Sequence, residues 1–186
     1  MKTLSLFLIT ISISLLTRGQ GLNNEITLDN GQKFLVGKIT KERLAQSPYK
    51  AWYTSNYDRY KVNQPIIKKL KDTLAHYQIL IFLGTWCSDS KREVPRFIKI
   101  LDAAAHPTKN LKIIALDRRK GHYKKSPDGE EWGLQILRVP TFIFYKNGRE
   151  QHRIIESPNK SLEEDMLQIT TTKSYAPHKA QSMHFD

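Results

Sequence analysis

The sequence predicts an α/β sandwich built on a mixed β-sheet. Three observations carry that expectation. Two continuous apolar runs, Ile79–Leu83 and Leu111–Leu116, have the composition of strands buried on both faces. Between them lies a stretch with apolar residues at helical spacing. A hairpin signal at Lys146-Asn147-Gly148 then precedes a last helical stretch. Strand, helix, strand, hairpin and closing helix, in that order, set helices against a sheet with both parallel and antiparallel pairs.

The chain of 186 residues has room for one domain with additions. At 39% hydrophobic and 26% charged residues it has the balance of a folded protein rather than a disordered one. The formal net charge is +12, but Lys and Arg are spread along the chain. They read as solubilising surface charge, and no nucleic-acid partner is expected.

Residues 1–19 have the form of a secretory signal peptide: Lys2, then the apolar run Leu4 to Leu16, then small residues at Thr17 and Gly19 before a cut at Gln20. The run is short for a membrane span, which takes about 20 apolar residues, although Arg18 directly after it also suits an uncleaved anchor. The expectation is an exported protein of the periplasm or cell envelope, with no stable span after cleavage. No Cys follows the run, so the usual lipid-attachment site is missing.

Residues 20–62 read as an N-terminal extension. Within it Glu25–Leu28 is strand-like, Asn30-Gly31 is a turn, and Lys33–Ile39 alternates as a second short strand. Tyr49, Trp52, Tyr53, Tyr57 and Tyr60 crowd the segment Lys41–Lys61 and read as a packing surface rather than a base-stacking platform. Residues 63–170 read as the main domain. Ile66–His76 is helical on Ile66, Ile67, Leu70 and Leu74, and Ile79–Leu83 is the first buried strand. The chain leaves that strand through Gly84-Thr85-Trp86-Cys87 into a helix over Ser88–Ala105, with Phe97, Ile98, Leu101 and Ala104 on one stripe and a kink expected at Pro95. A charged loop, Asp117–Glu131, follows the second buried strand. Thr141–Tyr145 and Gln151–Ile155 form the hairpin, and Ser161–Ile169 closes the domain behind a capping box of Ser161 and Glu164. Residues 171–186 read as a loose polar tail.

Cys87 is the one cysteine, so no intramolecular disulfide can form. It stands where a strand ends and a helix begins, and the free N–H groups there favour a thiolate, the nucleophilic form. Lys91 and Arg92 would add to this if they lean towards the sulfur, while Asp89 would oppose it.

Trp86-Cys87-Ser88-Asp89-Ser90-Lys91 resembles the active-site motif of the thioredoxin-like superfamily, usually Trp-Cys-x-x-Cys and a basic residue. Pro95, eight residues after the Cys, and Val139-Pro140-Thr141 ahead of an apolar strand and hairpin agree with it, over roughly Asn63 to Ile169. The runs GTWCSDSKREVPRF and RVPTFIFYKNGRE, with a later ESP, are most similar to a bacterial subgroup called thioredoxin family proteins. The resemblance implies a thioredoxin-like sandwich with a cis Pro140 lying against Cys87. It further implies that Trp86, Val139 and Pro140 contact substrate, Val139 through backbone pairing with an extended chain.

Two departures redirect the chemistry. Ser90 stands in place of the second cysteine, and Ile81 in place of a buried acid that moves protons in the dithiol reaction. The Cys87–Pro140 spacing is also longer, with the excess in the charged loop, which either flanks the thiol and selects substrates or is a solvated insertion. Without a second sulfur the protein cannot reduce a disulfide alone. Cys87 as nucleophile, with the Ser90 hydroxyl donating to it, could exchange or isomerise polypeptide thiols and disulfides, or react with a small thiol. The competing expectation is a polypeptide-binding module without redox turnover. No cofactor is expected. No metal is expected either, because the six histidines are scattered and only one Cys is present.

Overall fold

The computed structural model describes residues 21–172 and 174–179; the leader expected at 1–19 lies outside them. Six strands form one mixed sheet: β1 (Asn24–Thr27), β2 (Lys33–Ile39), β3 (Gln78–Leu83), β4 (Leu111–Ala115), β5 (Thr141–Lys146) and β6 (Arg149–Ile155). Their spatial order is β1-β2-β4-β3-β5-β6. Only β3 and β4 run parallel, with Ile81 opposite Ile113, and the other neighbours are antiparallel. A parallel pair needs a crossover, which is α4 (Ser88–Ala103). The remaining helices are α1 (Lys41–Leu44), α2 (Lys50–Arg59), α3 (Gln64–Leu74) and α5 (Leu162–Thr171).

Side chains alternate across β3, and the two faces are covered differently. Ile79, Ile81 and Leu83 join Phe142 and Phe144 of β5 in a core with Leu70 of α3, Phe97 of α4 and Met166 of α5. Phe97 stacks on Phe142 with centroids 4.2 Å apart. On the opposite face Phe82, Ile114 and Ile143 meet Ile136 and Val139, which belong to the segment between β4 and β5. That segment therefore closes the sheet's second face as well as connecting two strands.

Local signals set the helix starts. Asn63 accepts from the Ile66 N–H at 3.3 Å to cap α3, and Ser161 accepts from the Glu164 N–H at 3.2 Å to cap α5. Glu164 bonds the Ser161 hydroxyl at 2.8 Å, where the expected capping box would have it reach backbone. Pro95 lies inside α4, which runs on to Ala103.

The aromatic segment packs on α4 and α5. Asn56 Nδ2 donates to the Lys91 carbonyl at 3.1 Å, Tyr57 Oη to Asp102 at 2.8 Å and Tyr60 Oη to Glu163 at 2.6 Å. Glu163 is only 2% exposed, and the Asn63 N–H supplies its second bond at 3.1 Å. The stretch after α5, expected to be loose, is tied down in its described part. Tyr175 is buried and donates to Asp165 at 2.7 Å, and the Asn159 side chain donates to the Ala176 carbonyl at 2.9 Å. No local pattern announces this, because the anchoring carboxylate lies on another element.

Candidate functional site

β3 delivers its last residue to a tight turn, in which the Cys87 N–H donates to the Gly84 carbonyl at 2.8 Å. Cys87 then occupies the N-cap of α4 with extended backbone, and the Lys91 N–H closes the first helical turn on its carbonyl at 3.0 Å. The sulfur is half-buried and makes no capping hydrogen bond to the first-turn N–H groups.

Across from it, the Val139–Pro140 peptide is cis, and the Cys87 thiol donates to the Val139 carbonyl at 3.3 Å. The bond occupies one of the two Val139 backbone groups that could pair with an extended substrate.

Ser90 has a different bond from the expected one. It is fully buried, and its Oγ accepts the Gly84 N–H at 3.2 Å. The hydrogen bond the structure gives Ser90 therefore ties the end of β3 to the first turn of α4 and does not run to Cys87. Ile81 lies fully buried in the core on the α3–α4–α5 side of the sheet, whereas Cys87 packs with the cluster on the other face.

Trp86 is fixed over the turn. Its Nε1 donates to the Leu116 carbonyl at 2.9 Å, and a Cβ on Gly84 would come within 2.6 Å of the indole. Gly84 is thus needed for close approach of the ring. The other side of the indole meets Tyr123, with centroids 5.5 Å apart and planes tilted by 36°.

Tyr123 belongs to the charged loop, so that loop flanks the thiol. Lys124 Nζ donates to the Leu137 carbonyl, two residues before Val139. Burial pushes the Lys124 ammonium below its ordinary value, Glu156 and the sulfur of Cys87 pull it back up, and Arg138 adds to the lowering. The sequence pointed instead to Lys91 and Arg92. Arg92 is drawn away by Asp89 at 2.7 Å and Glu93 at 2.5 Å, pairings that also neutralise the acid expected to oppose the thiolate. Tyr123 and Lys124 were missed, and the excess length before Pro140 was the only sign of them.

The structure brings Trp86, Cys87 and Val139 into one cluster with Leu116, Ile136 and Ile143. A β3–α4–β4 unit, a cis-proline, an antiparallel hairpin and a closing helix make this a thioredoxin-like α/β fold. No protein-family model matches the sequence, and no curated protein matches it either. Among solved structures, a Pseudomonas aeruginosa protein of unknown function aligns with a TM-score of 0.49 at 11% identity, over 67% of this chain and 84% of its own. Thioredoxin O2 from Arabidopsis thaliana in its oxidised state aligns with a TM-score of 0.31 at 20% identity, over 49% of this chain and 71% of its own.

Proposed function

We propose that the protein is an exported monothiol thioredoxin-like protein that exchanges or isomerises disulfides through Cys87. The observation that carries the reading is the placement of the lone thiol, half-buried at the N-cap of α4 and 3.3 Å from the Val139 carbonyl beside cis Pro140. The thiol first loses its proton to solvent. The thiolate then attacks one sulfur of a substrate disulfide, forms a Cys87–substrate mixed disulfide and releases the other sulfur as a thiolate that takes up a proton. A second thiolate of the same substrate attacks the mixed disulfide and frees Cys87, so bonds are rearranged with no net electron transfer. Polypeptide thiols and disulfides, or a small thiol, are the partners; export follows from the leader expected at 1–19.

The alternative is a polypeptide-binding module without redox turnover, in which the bond from Cys87 to the Val139 carbonyl is a structural tie. Alkylation of Cys87 against pH, together with isomerisation of a scrambled disulfide substrate, separates the two. Exchange predicts regain of native substrate and a mixed disulfide visible by mass. A thiol titrating at about 8.5, as in a free cysteine, with no regain of substrate, would sink the exchange reading.

A further inference from the structure

Four large apolar side chains stand out as exposed among the described residues, and three of them share one segment: Trp132 is 79% exposed, Tyr123 53% and Leu137 40%. They are not scattered. Together with Lys124, Lys125, Glu131 and Ile136 they line a groove of about 460 Å³ in the segment that joins β4 to β5, within the size range of ligand-binding clefts. Apolar surface gathered in this way on a folded protein marks an interaction site more often than a chance exposure.

The groove is built rather than floppy. Gly129 has φ +71°, and a Cβ there would lie 2.6 Å from the Trp132 indole, so the ring rests against glycine backbone. The Ser126 N–H and hydroxyl both donate to Glu131, and the Trp132 N–H donates to the Gly129 carbonyl at 2.9 Å. Two of its lining residues reach the thiol's neighbours. Tyr123 packs on Trp86, and Ile136 shares an apolar cluster with Cys87 and Val139.

Charge selects the occupant. Residues 118–125 hold five Lys and Arg side chains and no acid. Of the four acids in 117–131, three have partners: Asp117 pairs with Arg119 at 2.6 Å, Glu130 with Lys38 at 3.7 Å, and Glu131 accepts from Ser126. We propose that the segment between β4 and β5 is a docking groove for an extended stretch of partner polypeptide with an apolar side chain close to its cysteine and acidic residues beyond it. The position of the partner's cysteine rests on the exchange reading above; the groove does not. A concave apolar floor with a basic rim beside a thiol suits a peptide better than a flat lipid surface.

The test uses labelled acidic peptides carrying a phenylalanine two positions from a cysteine or from a serine in its place. Binding of the serine peptide to the Cys87→Ser protein is read by fluorescence anisotropy. Trp132→Ala and Leu137→Ser are each expected to weaken it about tenfold, and replacing the peptide's phenylalanine or its acids should do the same. Both substituted side chains are exposed, and an unchanged alkylation rate of Cys87 by a small reagent, measured in each variant with Cys87 intact, shows that the thiol site is undisturbed. If groove variants and peptide changes leave affinity unaltered, the proposal is overturned. It is equally overturned if the groove residues instead control binding to phosphatidylglycerol vesicles or self-association in sedimentation. Groove-dependent binding of the serine peptide with no mixed disulfide from the cysteine peptide keeps the groove and removes the exchange reading.

Discussion

The sulfur of Cys87 and the carbonyl oxygen of Val139 lie 3.3 Å apart, joining the first turn of α4 to the peptide that precedes β5. A serine hydroxyl can make the same bond. Cys87→Ser is therefore expected to keep its stability within about 1 kcal/mol while losing every mixed disulfide. Thermal unfolding and mass spectrometry after incubation with a disulfide peptide check the two halves.

Ser90 predicts a larger structural cost. Ser90→Ala leaves the buried Gly84 N–H without its acceptor, which costs about 1–3 kcal/mol, read by denaturant unfolding. Ser90→Cys places a second sulfur on the first turn of the same helix. Under oxidising conditions this variant should lose both free thiols to a disulfide between Cys87 and the introduced sulfur, and it should gain reductase activity when supplied with a reductant.

Gly84→Ala forces the indole of Trp86 away from the turn, because the added Cβ would lie 2.6 Å from the ring. The Trp86–Leu116 bond and the Tyr123 contact should go with it, destabilising the protein by about 1–3 kcal/mol. A shifted tryptophan emission and a faster alkylation of Cys87 would report the opened site.

Lys124→Met removes the cation that donates to the Leu137 carbonyl, two residues before the Val139 that accepts from Cys87. A thiolate loses support when a positive neighbour goes, so alkylation of Cys87 at neutral pH should slow while the fold persists. A rate equal to wild type would place the ammonium out of effective reach.

The buried and half-buried tyrosines of the N-terminal segment and the C-terminal stretch make the fold sensitive to alkali. Burial, then the bond to Asp102, pushes Tyr57 up to about 12, and burial foremost pushes Tyr49, Tyr53, Tyr60 and Tyr175 up as well. A raised folded value means the native state holds its proton after the unfolded chain has released it near pH 10. Stability from these groups is full below about pH 10 and falls as pH rises through 12. Tyr57→Phe should flatten part of that fall in denaturant midpoints measured from pH 9 to 12.

Much of the fold was legible because its signals are local. The apolar run Ile79–Leu83 grew by one residue to Gln78–Leu83, Lys33–Ile39 was read with its observed ends, and Ser161 caps the last helix. By contrast α2 was not read as a helix. Its Lys-Ala-Trp-Tyr-Thr-Ser-Asn-Tyr-Asp-Arg sequence lacks an apolar stripe, and only Tyr53 is buried. Bonds to Lys91, Asp102 and Lys99 hold it on α4, and tertiary contacts of that kind override weak propensity. The same limit hid half of the candidate site. Trp86 and Cys87 stand in a motif, but Lys124 reaches it through a bond to Leu137 that no spacing rule foretells.

The strand order carries a further consequence. Among the described residues the interior strands are paired on both sides, and β1 and β6 form the two edges. Pairing with a second chain along such an edge is the usual route to polymeric sheets. β1 is four residues long, too short to template much. β6 carries Arg149, Glu150, Gln151, His152 and Arg153 in succession, and the register slips between Phe144 and Tyr145 on its neighbour. Charge and a bulge on the one long edge make end-to-end growth of the sheet unfavourable. The sheet thus carries, on its own open edge, the features that keep its backbone from pairing with other chains.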